Sequence, residues 1–319
     1  MVAFEKRPKG RDRKSRRRDS RLLQKHAQSR KDAIMKTDTY SLTVLTPCFC
    51  SGANQAIAEI RPSAIRGQLR WWFRALGGDR FAEREIFGGI ARQEADIRSS
   101  AIIIRVSDIT PGPPWQPPRV DQNNPSSYVW FFASRSADGI RWKSEAVLSP
   151  GTCFKLHVIR RRAFASSLFE KALACFLALG SVGLRATRGL GAMSCKEHPF
   201  RMDTVEPILR NSGFAIEDQG ATGNLDATVK KIGALVKGTR KDKGWRNDLK
   251  HGEETPSPMG TSITRQTSAI YFRPVEDGGG LRLIVFEAPH DRILDESSRK
   301  PSKTVGQRPS QLVDANVGK

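Results

Sequence analysis

The segment Arg61-Pro-Ser-Ala-Ile-Arg-Gly-Gln-Leu-Arg-Trp-Trp-Phe-Arg-Ala-Leu76 has the residue pattern of an amphipathic helix. Pro62 and Ser63 are typical of a helix start, and Gly77-Gly78 is typical of a helix end. At about 100° per residue, the apolar side chains fall on one arc. They are Ile65, Leu69, Trp72, Phe73 and Leu76. The sequence therefore predicts a helix from Ser63 to Leu76 that packs on a hydrophobic core.

Arginine recurs at every fourth position of this segment. Arg66, Arg70 and Arg74 would form one ridge, although like charges at this spacing destabilise an isolated helix by roughly 0.2–0.5 kcal/mol per pair. The ridge favours an anionic ligand, with a solvated basic face as the alternative. Trp71 lies beside the apolar arc, where it would stack on a base or pack against a neighbouring domain or subunit. We expect Arg61 to reach the same groove.

The composition of the chain favours a polyanionic partner. Its 319 residues carry a net charge of +21, and no run of about 18 apolar residues predicts a membrane span. Nucleic acid is thus favoured over a membrane. Residues 1–36 contain 14 Lys or Arg and 4 Asp or Glu residues, which leaves +10. We predict a disordered basic arm over residues 1–38, with a solubility tail or a misassigned start as alternatives, and a flexible tail over residues 295–319.

The residues that could support catalysis form no recognisable set. Five scattered cysteines without a C-x-x-C pair fit free thiols in a reducing cytoplasm, and no zinc site is readable. None of the five histidines stands in a motif, and His157 is expected to face one side of a strand. Asp79, Glu83 and Glu85 are close in sequence, but they follow a helix beside glycines and are expected to solvate a turn. We therefore predict a binding protein without catalytic residues, metal or cofactor.

A glycine-rich loop, residues 180–191, follows a predicted helix over residues 163–179. Gly189 and Gly191 would let the backbone approach a sugar–phosphate chain, while Arg185 and Arg188 add positive charge. The glycines do not link a strand to a helix, as in a dinucleotide site, and no Walker A lysine follows them. A glycine-rich hairpin with incidental arginines is the alternative.

The remaining pattern alternates strands and helices, which predicts an α+β protein with antiparallel hairpins. No internal repeat is visible in the sequence. Helices are also predicted over residues 203–211 and 225–237, followed by a charged excursion over residues 237–250. The predicted strands are 40–46, 101–106, 128–133, 154–160, 268–273 and 281–287.

Several of these motifs together resemble the RAMP superfamily of CRISPR-associated proteins, and more closely a first subunit of type III-B Cmr effector complexes. The specific mark is the Arg-Trp-Trp-x-Arg run after a Pro-Ser-x-x-x-Gly start. The resemblance covers roughly Thr39 to Leu294. Its other motifs are Leu45-Thr-Pro, Glu85-x-Phe-Gly, Gly183-Leu-Arg-Ala-Thr-Arg-Gly-Leu-Gly191, Ser257-Pro-Met-Gly260 and Arg265-Gln-Thr-Ser-Ala-Ile-Tyr271.

The resemblance implies two ferredoxin-like (RAMP/RRM-like) domains with antiparallel sheets and helical insertions, over residues 39–200 and 201–294. It also implies a non-catalytic, cytoplasmic RNA-binding subunit of a type III CRISPR effector complex in antiviral defence. Its partners would be the 3′ portion of a CRISPR guide RNA, target RNA and other RAMP subunits. The alternative is a RAMP endoribonuclease that matures guide RNA and uses a histidine such as His157.

Overall fold

A computed structural model of the chain shows two antiparallel sheets with helices packed on them. The residues it describes are 36–89, 98–118, 123–133, 144–164, 167–242, 247–248, 253–254 and 267–293. The predicted tail and residues 1–35 of the predicted arm lie outside the described residues. Lys36–Asp38, which were also assigned to the arm, belong to a strand because they pair with Val158–Arg160.

The bounds of the elements are as follows. The helices are α1 (Pro62–Ala75), α2 (Arg80–Phe87), α3 (Ser127–Trp130), α4 (Ser167–Leu179), α5 (Met202–Asn211), α6 (Leu225–Asp242) and α7 (His290–Ile293). The strands are β1 (Lys36–Val44), β2 (Ile102–Thr110), β3 (Cys153–Arg160), β4 (Met193–Cys195), β5 (Ala215–Ala221), β6 (Asn247–Asp248), β7 (Glu253–Glu254), β8 (Ile270–Asp277) and β9 (Gly280–Glu287).

The first sheet has the strand order β2-β3-β1-β4, and its paired strands are antiparallel. Helices α1 and α2 connect β1 to β2, and α4 connects β3 to β4. This βαββαβ arrangement is ferredoxin-like. Alternate residues of the strands, such as Leu42, Leu156 and Ile104, are buried in the core with α1 and α4. The predicted α+β class is confirmed.

The second sheet has the order β5-β9-β8, and its strands are again antiparallel. Apart from the short strand pair β6-β7 that follows α6, the order β5-α6-β8-β9 repeats the first four elements of a ferredoxin-like unit, with its third strand in the centre as in the first sheet. The structure therefore contains a repeat that the sequence does not show. Helix α6 extends to Asp242, so the first residues of the predicted charged excursion are helical.

The hydrophobic cores of the two sheets do not separate at the predicted boundary at residue 200. The core beneath the second sheet contains Phe49, Trp130 and Leu190 from the first part of the chain, together with residues of α6, β8 and β9. In the other direction, Phe214 and Phe286 pack against Trp72 of α1. Each half of the chain thus completes the core of the other.

Two local predictions are corrected by the structure. The predicted strand 128–133 is helix α3 followed by a turn, and its buried residues Val129, Trp130 and Ala133 pack in the core that includes α6. A short run of apolar residues fits either structure, and packing against α6 decides the outcome. Helix α1 begins at Pro62 with Arg61 at the cap position, so Ser63 lies inside the first turn and does not cap the helix.

Candidate nucleic-acid interface

The arginine ridge of α1, formed by Arg66, Arg70 and Arg74, contacts the neighbouring helix α2. Arg74 donates Nε and Nη2 to the two carboxylate oxygens of Glu83, each at 2.6 Å, and Arg70 Nε lies 2.9 Å from Glu83 Oε1. Arg70 Nη2 donates to the carbonyl of Gly88 at 2.6 Å, and Arg66 donates to the carbonyl of Phe87. These carbonyls lie at the negative end of α2, where cations are favoured. The ridge therefore fixes α2 on α1.

The ridge retains positive charge and exposure despite these contacts. Arg70 and Arg74 share the single carboxylate of Glu83, which is itself buried, while Arg66 has no carboxylate partner among the described residues, and the side chain of Arg74 is 52% exposed. Partial burial lowers the pKa of Arg70, although the nearby Glu83 opposes this shift. Arg61 is exposed at the start of α1. Of the acidic residues expected to solvate a turn, Asp79 instead caps α2 by accepting from the backbone N–H groups of residues 81 and 82.

Gly67 interrupts α1 on its exposed side, next to the ridge. A Cβ added at Gly67 would meet no described atom within 4 Å, whereas one added at Gly233 of α6 would lie 1.9 Å from the carbonyl oxygen of Pro125. Glycine costs about 1 kcal/mol relative to alanine in a helix interior. Close packing against Pro125 explains why Gly233 must be glycine. Packing among the described residues gives no such reason for glycine at position 67. Sequence reasoning missed Gly67, although a glycine between strong helix formers was the available signal.

The two tryptophans of α1 have different environments. Trp72 is 1% exposed, as its position on the apolar arc predicts. Trp71 is partly buried, and its ring centroid lies 4.8 Å from that of Tyr271 in β8 and 5.0 Å from that of Trp72. Trp71 therefore packs against the second sheet, which was the alternative to base stacking. An RNA contact of its remaining exposed edge stays a prediction.

The glycines of the glycine-rich loop serve close packing. Gly189 and Gly191 are buried with φ values of 83° and 64°, which side chains other than glycine rarely adopt. A Cβ on Gly191 would lie 1.9 Å from the carbonyl oxygen of Val182, and its N–H donates to the carbonyl of Pro47 at 3.0 Å. The expectation that this N–H faces an RNA strand is therefore wrong, because a buried intramolecular acceptor already holds it.

Arg188 and Arg273 link the glycine-rich loop to β8 by hydrogen bonds in both directions. Arg188, in the loop, is 4% exposed and donates Nη1 to Ser268 Oγ at 3.1 Å and to the carbonyl of Ile270 at 3.3 Å. Arg273, in β8, donates Nε to the carbonyl of Leu179 at 2.7 Å and also donates to the carbonyl of Ala186 in the loop. Burial lowers the pKa of Arg273 to about 10. The predicted RNA ligand Arg188 thus lies inside the protein, where it joins the two halves.

Arg185 occupies the tip of this anchored loop. It has a left-handed backbone with φ of 59°, unusual for a residue other than glycine. Its guanidinium carbon lies 4.7 Å from the ring centroid of Phe131 and 5.0 Å from that of Tyr128, within the range of a cation–π interaction. Phe131 and Leu184 are 56% and 49% exposed. Sequence reasoning missed Phe131 because it assigned this segment to a strand.

The match to known proteins coincides with the first sheet. Residues 41–194 match the RAMP superfamily. This stretch, which is similar to that family over just under half of the chain, is called the RAMP domain below. The chain is 28% identical over 204 residues to the CRISPR system Cmr subunit Cmr1-1 of Pyrococcus furiosus, covering 60% of this chain and 50% of that protein. It therefore spans about half the length of this relative.

Two further comparisons agree with this assignment. The chain is 26% identical over 178 residues to the Cmr subunit Cmr1-2 of the same organism, covering 48% of this chain and 92% of that protein. The crystal structure of apo Cmr1 from Pyrococcus furiosus aligns with a TM-score of 0.50 at 20% identity, covering 80% of this chain and 88% of that one. This likeness shows that the two proteins share a fold.

His157, the histidine of the enzymatic alternative, lies in β3 of the RAMP domain. Its Nδ1 is 3.0 Å from Thr39 Oγ1, and its Nε2 is 2.8 Å from Ser107 Oγ. Both ring nitrogens are therefore held by hydroxyl groups. Among the described residues, no group of three or more His, Cys, Asp or Glu side chains is placed to hold a metal. Within the same part of the chain, every helix is too short or too polar to cross a membrane.

Proposed function

We propose that the chain is a non-catalytic RNA-binding subunit of a type III CRISPR effector complex. In this role it contacts the 3′ portion of the guide RNA and the target RNA in the cytoplasm, beside other RAMP subunits. The RAMP domain, the similarity to curated Cmr subunits and the net charge of +21 support this assignment. The observation that carries it is the open glycine, Gly67, beside a ridge of three arginines.

The proposed contact lies along the exposed side of α1. Without a side chain at Gly67, a ribose–phosphate strand approaches the helix backbone closely, as glycine permits at ligand sites. The exposed guanidinium groups of Arg61 and Arg74 then lie near the phosphates and contribute a salt-dependent attraction. Base pairing between guide and target supplies the sequence specificity, and the protein reads the shape of the backbone.

The sharpest test enlarges Gly67 without harming the fold. Gly67→Gln adds a side chain into open space and replaces a poor helix former, so we expect the free energy of unfolding to rise by up to about 1 kcal/mol. We expect its affinity for single-stranded RNA, measured by fluorescence anisotropy, to fall about tenfold because the strand loses its closest approach.

A matched control is available in α6. A Cβ at Gly238 would also meet no described atom within 4 Å, so Gly238→Gln changes a helix glycine in the same way, away from the ridge. This control should keep wild-type affinity. Equal affinity for Gly67→Gln and Gly238→Gln would contradict a contact on α1. Discrete cleavage of the RNA by wild-type protein, on a denaturing gel, would contradict a non-catalytic role.

A further inference from the structure

The face of the first sheet that points away from α1 and α4 is polar and accessible. We call it the open face. Its central residues alternate along β1, β2 and β3 with the buried core residues of the same strands. They are Thr39, Arg105, Ser107, Cys153, Lys155 and His157.

The centre of the open face is fixed by hydrogen bonds across three strands. His157 in β3 is bonded on one side to Thr39 in β1 and on the other to Ser107 in β2. The strand register places Arg105 directly opposite His157. Arg105 is exposed, and it has no ion-pair partner among the described residues. The hydroxyl groups of Thr39 and Ser107, held in place by His157, thus lie beside the exposed guanidinium of Arg105.

A bulge in β2 shapes the edge of the same group. The register shifts between Ser107 and Thr110, and Asp108 has a left-handed φ of 53°. Lys155 Nζ lies 2.9 Å from Asp108 Oδ2, and the two side chains are 50% and 59% exposed. Bulges of this kind redirect side chains and are frequent beside functional sites. The bulge therefore holds the Lys155 ammonium at the surface, two residues along β3 from His157.

We propose that the open face binds the ribose–phosphate backbone of single-stranded RNA, as a second contact surface separate from α1. The proposal rests on the proposed function and extends it to a surface that no motif marked. Arg105 and Lys155 supply charge for phosphate oxygens, and the hydroxyls of Thr39 and Ser107 match the donor and acceptor of a ribose 2′-OH.

The side chains of the open face favour the backbone over the bases. The alternating positions of β1, β2 and β3 on this face contain no Phe, Tyr or Trp to stack on a base. A protein partner is less well matched, because the centres of protein interfaces are enriched in aromatic residues and depleted of charge. Contact without base readout also suits a complex in which a guide RNA specifies the sequence.

Cys153 provides a native reporter of this face. It is exposed, whereas Cys48, Cys50, Cys175 and Cys195 are buried. The neighbouring Cys48 thiol lowers the pKa of Cys50 to about 7, but Cys50 is only 7% exposed, and mass spectrometry separates its peptide from that of Cys153. Alkylation of the full chain with iodoacetamide, with and without saturating single-stranded RNA, therefore measures coverage of the open face.

We expect bound RNA to slow alkylation of Cys153 several-fold. The double variant Arg105→Glu/Lys155→Glu should lose this protection and bind RNA about tenfold more weakly. Arg201→Glu/Lys171→Glu reverses the same charges at the exposed cap residue before α5 and at an exposed position of α4, away from this face, and should retain the protection. Full reactivity of Cys153 at saturating RNA would overturn the proposal.

The variants separate this inference from the proposed function. If wild-type protein binds RNA and Gly67→Gln weakens binding, but Cys153 stays reactive, the open face is overturned and the proposed function stands. If wild-type protein binds no RNA, both are overturned. If Cys153 is protected in the native complex and remains protected after ribonuclease treatment, the face belongs to a protein neighbour and the proposal is wrong.

Discussion

The arginine ridge of α1 and the glycine-rich loop have similar sequences in one respect, because each places arginines close together beside glycine. Their arginines nevertheless have different environments. Arg74 in the ridge is 52% exposed and pairs with the carboxylate of Glu83, whereas Arg188 in the loop is 4% exposed and donates to neutral oxygens of Ser268 and Ile270. The number of arginines in a segment does not show whether the segment binds a ligand or holds parts of the fold together. The exposure of the arginines and the type of group that they contact distinguish the two roles.

The two environments also differ in how readily their contacts exchange. The side chain of Arg74 is half exposed, and Arg70 Nε also lies 2.9 Å from Glu83, so Arg74 exchanges its carboxylate for a phosphate without leaving the buried Glu83 unpaired. Removing Arg188 deletes charge-assisted hydrogen bonds in the interior, to Ser268 and Ile270, each contributing about 1.5–3 kcal/mol. The ridge is therefore suited to binding an external anion, and the buried part of the loop is suited to holding the two halves together.

Substitution of Gly191 should give the largest effect. Gly191→Ala places a Cβ 1.9 Å from the carbonyl oxygen of Val182 at a φ of 64°, so backbone strain and overpacking combine. We expect the free energy of unfolding, measured with urea, to fall by about 3–5 kcal/mol. A change below about 1 kcal/mol would show that the loop relaxes and is not a rigid joint.

Removal of Arg188 should be nearly as severe. Arg188→Ala removes donors to Ser268 and Ile270 and a cation–π contact with Phe272, and we expect a loss of about 3 kcal/mol in urea denaturation. Arg74→Ala in the ridge is the matched comparison and should cost no more than about 1 kcal/mol. Equal losses at the two positions would remove the distinction between ridge and loop.

Neutralising Glu83, the carboxylate that Arg70 and Arg74 share, should lower the stability of the fold and raise its affinity for RNA. Glu83→Gln removes the buried charge that faces Arg70 and Arg74, so we expect the free energy of unfolding to fall by about 2 kcal/mol. The ridge gains one unit of positive charge, and RNA affinity at low salt should rise about threefold. Weaker RNA binding by a folded Glu83→Gln protein would indicate that the carboxylate positions the arginines for RNA.

The smallest change in stability is expected at Arg185. Arg185→Gly relieves a left-handed backbone but loses the ring contacts with Tyr128 and Phe131 and the hydrogen bond to the carbonyl of Tyr128, and these opposing effects of about 1–2 kcal/mol should nearly cancel. Thermal denaturation should therefore be nearly unchanged, while RNA affinity falls several-fold if the tip contacts RNA. Unchanged affinity would restrict the RNA surface to α1 and the first sheet.

The sequence predicts the fold better than it predicts the site. The apolar period of α1 and the alternation along β1 and β3 are local signals, and they predict these elements with small errors at their ends. The run over residues 128–133 has no clear period, so its helix depends on packing against α6. The arginines of the site are visible in the sequence, but their partners are not. Arg188 bonds to Ser268, 80 residues away, and only the folded chain brings them together.

The interleaved cores have a consequence for synthesis of the chain. The first sheet is complete once Cys195 has left the ribosome, but Phe49, Trp130 and Leu190 pack with residues as late as Val285. Translation from Cys195 to Glu287 takes about 5–18 s at roughly 5–20 residues per second. For that interval the nascent chain exposes an apolar surface that its own first half cannot cover. We therefore expect the growing polypeptide, rather than the finished protein, to be the form that needs a chaperone.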